Sequence, residues 1–318
     1  MALPTAGTAA RKAPGQRGRA GQGATWVAWP GLGYLVGLVF APLVIIVLYS
    51  FLSRAQFGVG VRWEFSLQPY IELVYSESLS GIRSFNPIYL QIFFTSIGYA
   101  AITAIVCLLM AIPIAMWIAT RPESRRTLLI FLVTIPFWTS LLIRTYAFII
   151  ILNNNGPINS ALGWSGLIGS PIPMLYTPFA TVVGLVYTFL PFMILPIYAS
   201  AERFDFRLAE AAYDLGAEKW RVFTRVVVPS IRPGIIAGTV LVFIPALGSF
   251  LAPELLGGGK TTMIANVIAA QFGASRNWPF GASLSVMVLV ITMVSLIVFV
   301  LVSRRMNRSR ANGLDSLL

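Results

Sequence analysis

The chain has 318 residues, 57% of them hydrophobic and only 11% charged, and carries a net charge of +12. A soluble domain has about 25% charged residues, so this composition excludes an ordinary water-soluble fold and points to a membrane. A single cysteine excludes an internal disulfide, and the lack of any histidine excludes His-based zinc sites, Ser-His-Asp triads and His proton shuttles.

Residues 1–25 are rich in Gly, Ala and Arg and poor in apolar side chains, which predicts a disordered tail. The apolar run after them is too long for a signal-peptide core and lacks a small-residue cleavage site, so it reads as an uncleaved anchor. A bilayer crossing needs about 20 apolar residues. Six stretches qualify: Val27–Leu52, Ile92–Ala119, Leu128–Leu152, Tyr176–Ala201, Gly234–Leu256 and Ala282–Ser303. Lipid offers the backbone no hydrogen-bond partner, so all six are expected to be helices of an all-α integral membrane fold. Pro42, Pro113, Pro136, Pro191, Pro196 and Pro245 predict kinks that neighbouring helices tolerate. Between the first two stretches, the loop Ser53–Pro87 carries Glu64, Glu72 and Glu77 and is expected to hold a short interfacial helix over Pro69–Leu79.

Lys and Arg set the orientation. The N-terminal tail, the loops after the second and fourth spans and the C-terminal tail hold seventeen of them; the opposite loops hold five. Both termini are therefore expected in the cytoplasm, with 26–303 as the transmembrane domain, 304–318 as a cytoplasmic tail and Asn153–Met174 outside. The basic excess is a topology signal, and no nucleic-acid partner is implied.

The cytoplasmic loop 202–232 is the most informative segment. Leu208, Ala212 and Leu215 share one helical face, and Trp220, Phe223 and Val227 share another. Gly216 stands between them, where a tight turn needs a residue without Cβ. Two short amphipathic helices folded at a glycine, with apolar and aromatic anchors, suit insertion into a groove on a partner.

In Glu210-Ala211-Ala212, Gly216 and Pro229 the loop resembles the motif of type I ABC importer permeases: Glu-Ala-Ala, three residues, Gly, nine residues, Ile, one residue, Leu-Pro. Val226 and Val228 replace the Ile and Leu and keep their apolar character. Further segments are similar to the spermidine/putrescine permeases, specifically the first of their two membrane subunits. They are Pro136-Phe137-Trp138-Thr139-Ser140, Leu142-Ile143-Arg144-Thr145-Tyr146, Leu190-Pro191-Phe192-Met193-Ile194-Leu195-Pro196, Asp214-Leu215-Gly216-Ala217, Leu255-Leu256-Gly257-Gly258 and Asn277-Trp278-Pro279-Phe280-Gly281. Relatives that import ferric iron, sulfate, thiamine or phosphonates share the architecture.

The resemblance implies a six-helix permease in a bacterial inner membrane, without catalytic residues, cofactor or metal of its own. It implies a second permease subunit, two copies of an ATP-binding-cassette ATPase and a periplasmic substrate-binding protein as partners, besides membrane lipid. Glu210, Ala211, Ala212, Asp214, Gly216 and Pro229 would then couple the ATPase to the membrane helices. Gly257-Gly258-Gly259-Lys260-Thr261 imitates the end of a phosphate-binding loop, but Glu254 stands where that pattern needs Gly.

Three residues are candidates for the substrate path. Counting ~1.5 Å per residue places Trp138 and Tyr187 near mid-membrane, and Arg144 and Glu254 near the outer boundary. Trp138 and Tyr187 are read either as packing between helices or, for Trp138 above all, as an aromatic face for a cation. Glu254 is read either as snorkelling or paired with Arg144, or as facing a cationic substrate. The favoured reading is a polyamine permease driven by ATP hydrolysis on a partner. Its rivals are a permease for another solute, an intramembrane enzyme, which would not need the loop motif, and a passive channel, which would not need ATP.

Overall fold

The computed structural model describes residues 24–55, 60–77 and 83–315, so nearly all of the tail expected to be disordered lies outside the described residues. The chain divides into a unit ending at Ile46 and a unit beginning at Val47. The first consists of most of α1 (Ala24–Tyr49), whose side chains from Tyr34 to Phe40 are exposed.

The second unit opens with two small antiparallel ribbons, β1 (Leu52–Arg54) with β2 (Val61–Phe65) and β3 (Tyr75–Glu77) with β4 (Arg83–Phe85). Between the ribbons, α2 covers only Gln68–Ile71, so the helix expected over Pro69–Leu79 is one turn and the chain then becomes a strand. The Val-Arg-Trp-Glu-Phe run of β2 is alternating, which is the period of a strand.

From there the unit is helical: α3 (Ile88–Ala119), α4 (Glu123–Thr134), α5 (Leu141–Leu152), α6 (Pro157–Trp164), α7 (Pro178–Ala201), α8 (Arg207–Asp214), α9 (Lys219–Val222), α10 (Val228–Leu247), α11 (Leu251–Gly257), α12 (Ile264–Phe272) and α13 (Trp278–Asp315). Among the described residues, four helical segments are long and apolar enough to cross a bilayer: Ile88–Ala119, Pro178–Ala201, Lys219–Leu247 and Trp278–Val298. A fifth crossing results if Glu123–Trp138 and Leu141–Trp164, which meet at 91°, count as one. In α1 the apolar helix Gly33–Tyr49 is shorter than these.

The core lies where α3, α7 and α10 meet. On α3, Ala100, Ala104, Cys107, Ala111, Ala115 and Ala119 recur at spacings of three and four residues and are all buried. Small side chains let membrane helices approach until their backbones nearly touch, which supplies the dispersion energy that lipid cannot. Gly234 and Gly238 do the same between α10 and α7. A Cβ at Gly238 would sit 2.7 Å from Met193 Sδ, and one at Gly234 would meet the Pro196 carbonyl oxygen and, at 2.6 Å, Ser200 Oγ.

Two expected spans differ from simple rods. The third begins earlier, at Glu123, and is interrupted: a 3-10 turn over Ile135–Trp138 follows α4, Thr139 is extended, and α5 starts anew at Leu141. Pro136 removes a backbone donor at this point. The fifth begins at Lys219, passes through a π-turn over Phe223–Val227 into α10, and breaks at Gly248 before α11. The helices of both segments together cover the stretches read from hydropathy, which cannot sense a bend inside an apolar run.

Candidate functional site

The segment after α7 is tied down at its root. The Arg126 guanidinium on α4 donates to Glu202 Oε1 at 2.9 Å and to the Ala119 carbonyl at the end of α3 at 3.0 Å, so one side chain joins three elements. Hydrogen bonds from Tyr198 and Arg126 hold the Glu202 carboxyl below its ordinary range. Asp205 then accepts from the backbone N–H of Arg207 at 3.0 Å, just before α8.

On α8, Ala209 is buried and Ala212 half-buried, while Leu208, Glu210, Ala211, Tyr213 and Asp214 are exposed. The helix thus seats on its small residues and leaves large ones outward. Of the expected face of Leu208, Ala212 and Leu215, Ala212 is half-buried, while Leu208 is 56% and Leu215 87% exposed and neither is packed on the bundle. Gly216 closes the turn with φ +80°, in the left-handed region open to glycine. Trp220 on α9 is 70% exposed, whereas Val222 and Val227 are buried and Phe223 packs against the core. Pro229 lies two residues past the π-turn, inside the continuous helical segment Lys219–Leu247, where the widened turn accommodates a residue without an N–H. Glu210 and Tyr213 border an open apolar cavity of ≈ 460 Å³ with Phe206, Phe223 and, from α3, Pro113 and Met116.

An exposed helix-turn-helix continuous with a span, at the spacing already read from the sequence, agrees with a match of residues 24–308 to the family described as binding-protein-dependent transport system inner membrane component. The chain belongs to that family. The permease is 40% identical to the spermidine/putrescine transport system permease protein PotB of Escherichia coli K12 over 277 residues, which are 87% of this chain and 96% of the relative. It is 38% identical to PotB of Haemophilus influenzae over 86% of this chain and 92% of the relative. A solved bacterial ABC transporter that imports the acidic polysaccharide alginate shares the fold, with a TM-score of 0.65 at 16% identity over 90% of this chain and 96% of that one.

The remaining candidates of the permease lie apart from the helix-turn-helix. Trp138 ends the 3-10 turn at the break of the third span and is 82% exposed. Tyr187 on α7 is 39% exposed; its ring meets Phe148 at 5.1 Å and the Arg144 guanidinium at 5.5 Å. Glu254 does not pair with Arg144. Its carboxylate accepts from Asn266 Nδ2 at 2.7 Å, and the rest of it is exposed. Asn266 is buried and also donates to the Phe250 carbonyl at 3.1 Å, so it joins α11 to α12 and orients the carboxylate. Arg144 instead donates to the carbonyl oxygens of Pro136 and Thr139. Sequence reasoning passed over Asn266, although a carboxamide inside an apolar run is the kind of residue that marks a function or a buried bond. Among the described residues, no group of three or more His, Cys, Asp or Glu side chains is placed to hold a metal ion.

Proposed function

We propose that the permease is one of two membrane subunits of a polyamine importer, translocating spermidine or putrescine across the inner membrane with energy from ATP hydrolysed on a partner. The 40% identity to PotB of Escherichia coli, spanning 87% of this chain and 96% of that one, carries the reading. The chain would cross the membrane six times, α1 being the first span and the bent pair the third, with both termini in the cytoplasm.

The exposed surfaces support the partners of this reading. Leu208, Leu215 and Trp220 present apolar area that a water-facing loop has no reason to expose, and they suit a groove on an ATPase subunit. Glu210, Ala211, Ala212, Asp214, Gly216 and Pro229 then form the coupling element, with two ATPase copies serving two permease subunits. A periplasmic binding protein would deliver substrate from the other side. A second bacterial alginate transporter of this fold, TM-score 0.66 at 18% identity, is in complex with a substrate-bound periplasmic protein.

For a multiply charged amine, the path must replace water around each ammonium. Trp138 and Tyr187 offer aromatic faces, worth about 2 kcal/mol or more to a desolvated cation, and Glu254 offers a counter-charge already oriented by Asn266. The test is uptake of labelled spermidine and putrescine by the whole complex in proteoliposomes, with molybdate, sulfate and ferric iron as competitors. ATP-dependent polyamine uptake that these anions and iron leave unchanged is the expected result. Uptake of one of those solutes in its place would overturn the polyamine assignment and keep the permease.

A further inference from the structure

Among the described residues, Arg144 has no counter-charge. The ion pairs among the described residues are Arg62–Glu64, Arg126–Glu202 and Arg221–Glu218. Its guanidinium rests at the break of the third span. One nitrogen donates to the Pro136 carbonyl and, at 2.9 Å, to the Thr139 carbonyl, the plane lies 5.5 Å from the Tyr187 ring centroid, and the Nε–H is buried without a partner.

Each part of that seat has a general chemistry. The interruption at Thr139 ends the helical ladder, so no backbone N–H four residues on reaches these oxygens; the Pro136 carbonyl accepts from the Thr139 N–H at 3.4 Å and the Thr139 hydroxyl at 2.9 Å besides Arg144, and the Thr139 carbonyl accepts from Arg144. They form the negative end of α4 and its 3-10 turn. Broken helices inside membranes use such carbonyls to coordinate cations, and an aromatic face adds attraction for the same charge. Two carbonyls and a ring form a neutral receptor for any cation that can donate hydrogen bonds. A primary or secondary ammonium satisfies it as a guanidinium does.

We propose that the carbonyls of Pro136 and Thr139 and the ring of Tyr187 are a binding site for an ammonium group of the transported amine, and that Arg144 occupies it as a tethered cation which the substrate must displace. This rests on the polyamine reading above. The two cations exclude each other, because a single unshielded charge already fills the seat. Trp138, exposed beside the turn, is the next aromatic surface an arriving amine would meet. The apparent affinity of a site is reduced by the fraction of time it is free. If Arg144 is seated about nine-tenths of the time, its removal strengthens cation binding there roughly tenfold.

The experiment measures ATP-driven spermidine uptake by the complete complex in proteoliposomes with methylguanidinium chloride titrated in, sodium chloride holding ionic strength constant. Wild type and Arg144→Lys should resist methylguanidinium. Arg144→Ala, and Arg144→Gln, which keeps a neutral donor for the carbonyls, should be inhibited at concentrations roughly tenfold lower or less. A purely structural Arg144 gives the opposite sign: Arg144→Ala loses uptake, methylguanidinium restores it, and Arg144→Gln resembles wild type. That result overturns the inference, as does equal inhibitor sensitivity in all four proteins or failure of both neutral variants to co-purify with the ATPase subunit. If the wild type itself imports no spermidine, the polyamine reading falls and this inference with it, a result distinct from all the others.

Discussion

Gly216 allows a prediction whose size follows from geometry. Its φ of +80° lies where an L-residue pays about 1–2 kcal/mol. A Cβ built there meets nothing within 4 Å, so sterics with neighbours add no further cost. Substitution therefore acts through the backbone alone. Asn tolerates the left-handed region, Ala bears the ordinary penalty, and a β-branched Val bears more. The turn can relax in the free permease, because Leu215 and Glu218 on either side are exposed, and must re-form when the loop docks. The penalty then appears as weaker docking, roughly 5- to 30-fold for Gly216→Ala. Uptake and substrate-stimulated ATP hydrolysis at limiting ATPase subunit should fall in the order Gly, Asn, Ala, Val, with membrane insertion unchanged. Gly216→Asn as impaired as Gly216→Val, or Gly216→Val as active as wild type, would refute the backbone argument.

Glu210→Arg should abolish coupled ATP hydrolysis and uptake while the protein still inserts, because the carboxylate is exposed at the edge of the open cavity and is not packed in the core; retention of both activities would remove it from the proposed coupling element. With Cys107 replaced by Ala, an impermeant thiol reagent on spheroplasts should label Asn154→Cys and spare Glu218→Cys, and the reverse pattern would invert the topology. Trp138→Ala and Glu254→Gln should each lower polyamine uptake in assembled complexes, and the double exchange Arg144→Glu with Glu254→Arg should not restore it, since Glu254 bonds Asn266. Because its folded-state pKa is depressed, the Glu202 carboxylate contributes stability above the ordinary value of 4.5 that is lost as pH falls through the lower folded value. Glu202→Gln should therefore flatten the acid limb of the melting temperature in detergent, by a small amount given that the Glu202 side chain is 45% exposed.

Hydropathy alone located the apolar segments, and the Glu-Ala-Ala spacing located the exposed helix-turn-helix, because both depend on residue type at fixed separation. The 91° break did not show, since Thr139 and Ser140 are two small polar residues within an apolar run and only Pro136 hinted at it. With that bend, counting rise per residue past Trp138 no longer measures depth, which is why Arg144 was placed by a ladder that does not exist. The pairing imagined between Arg144 and Glu254 failed for the same reason: charge signs are legible in a sequence, but the competing partners, two carbonyls for one and Asn266 for the other, come from turns. Three of the four ribbon strands were hidden by brevity, three residues being too few for a period to register, whereas the five-residue alternation of β2 was legible.

The continuity from α9 through the π-turn into α10 has a mechanical consequence. Lys219–Leu247 is one continuous helical segment of 29 residues, roughly 43 Å long. Pivoted at its α9 end, it moves its far tip by roughly 0.75 Å for each degree of tilt. Gly234 and Gly238 clamp it to α7 partway along, so the two helices would swing as one arm. A rotation of about 10°, small enough to leave the clamp intact, would carry the Leu247 end roughly 7 Å, more than the width of a water molecule and enough to open or shut a passage for a slender amine chain.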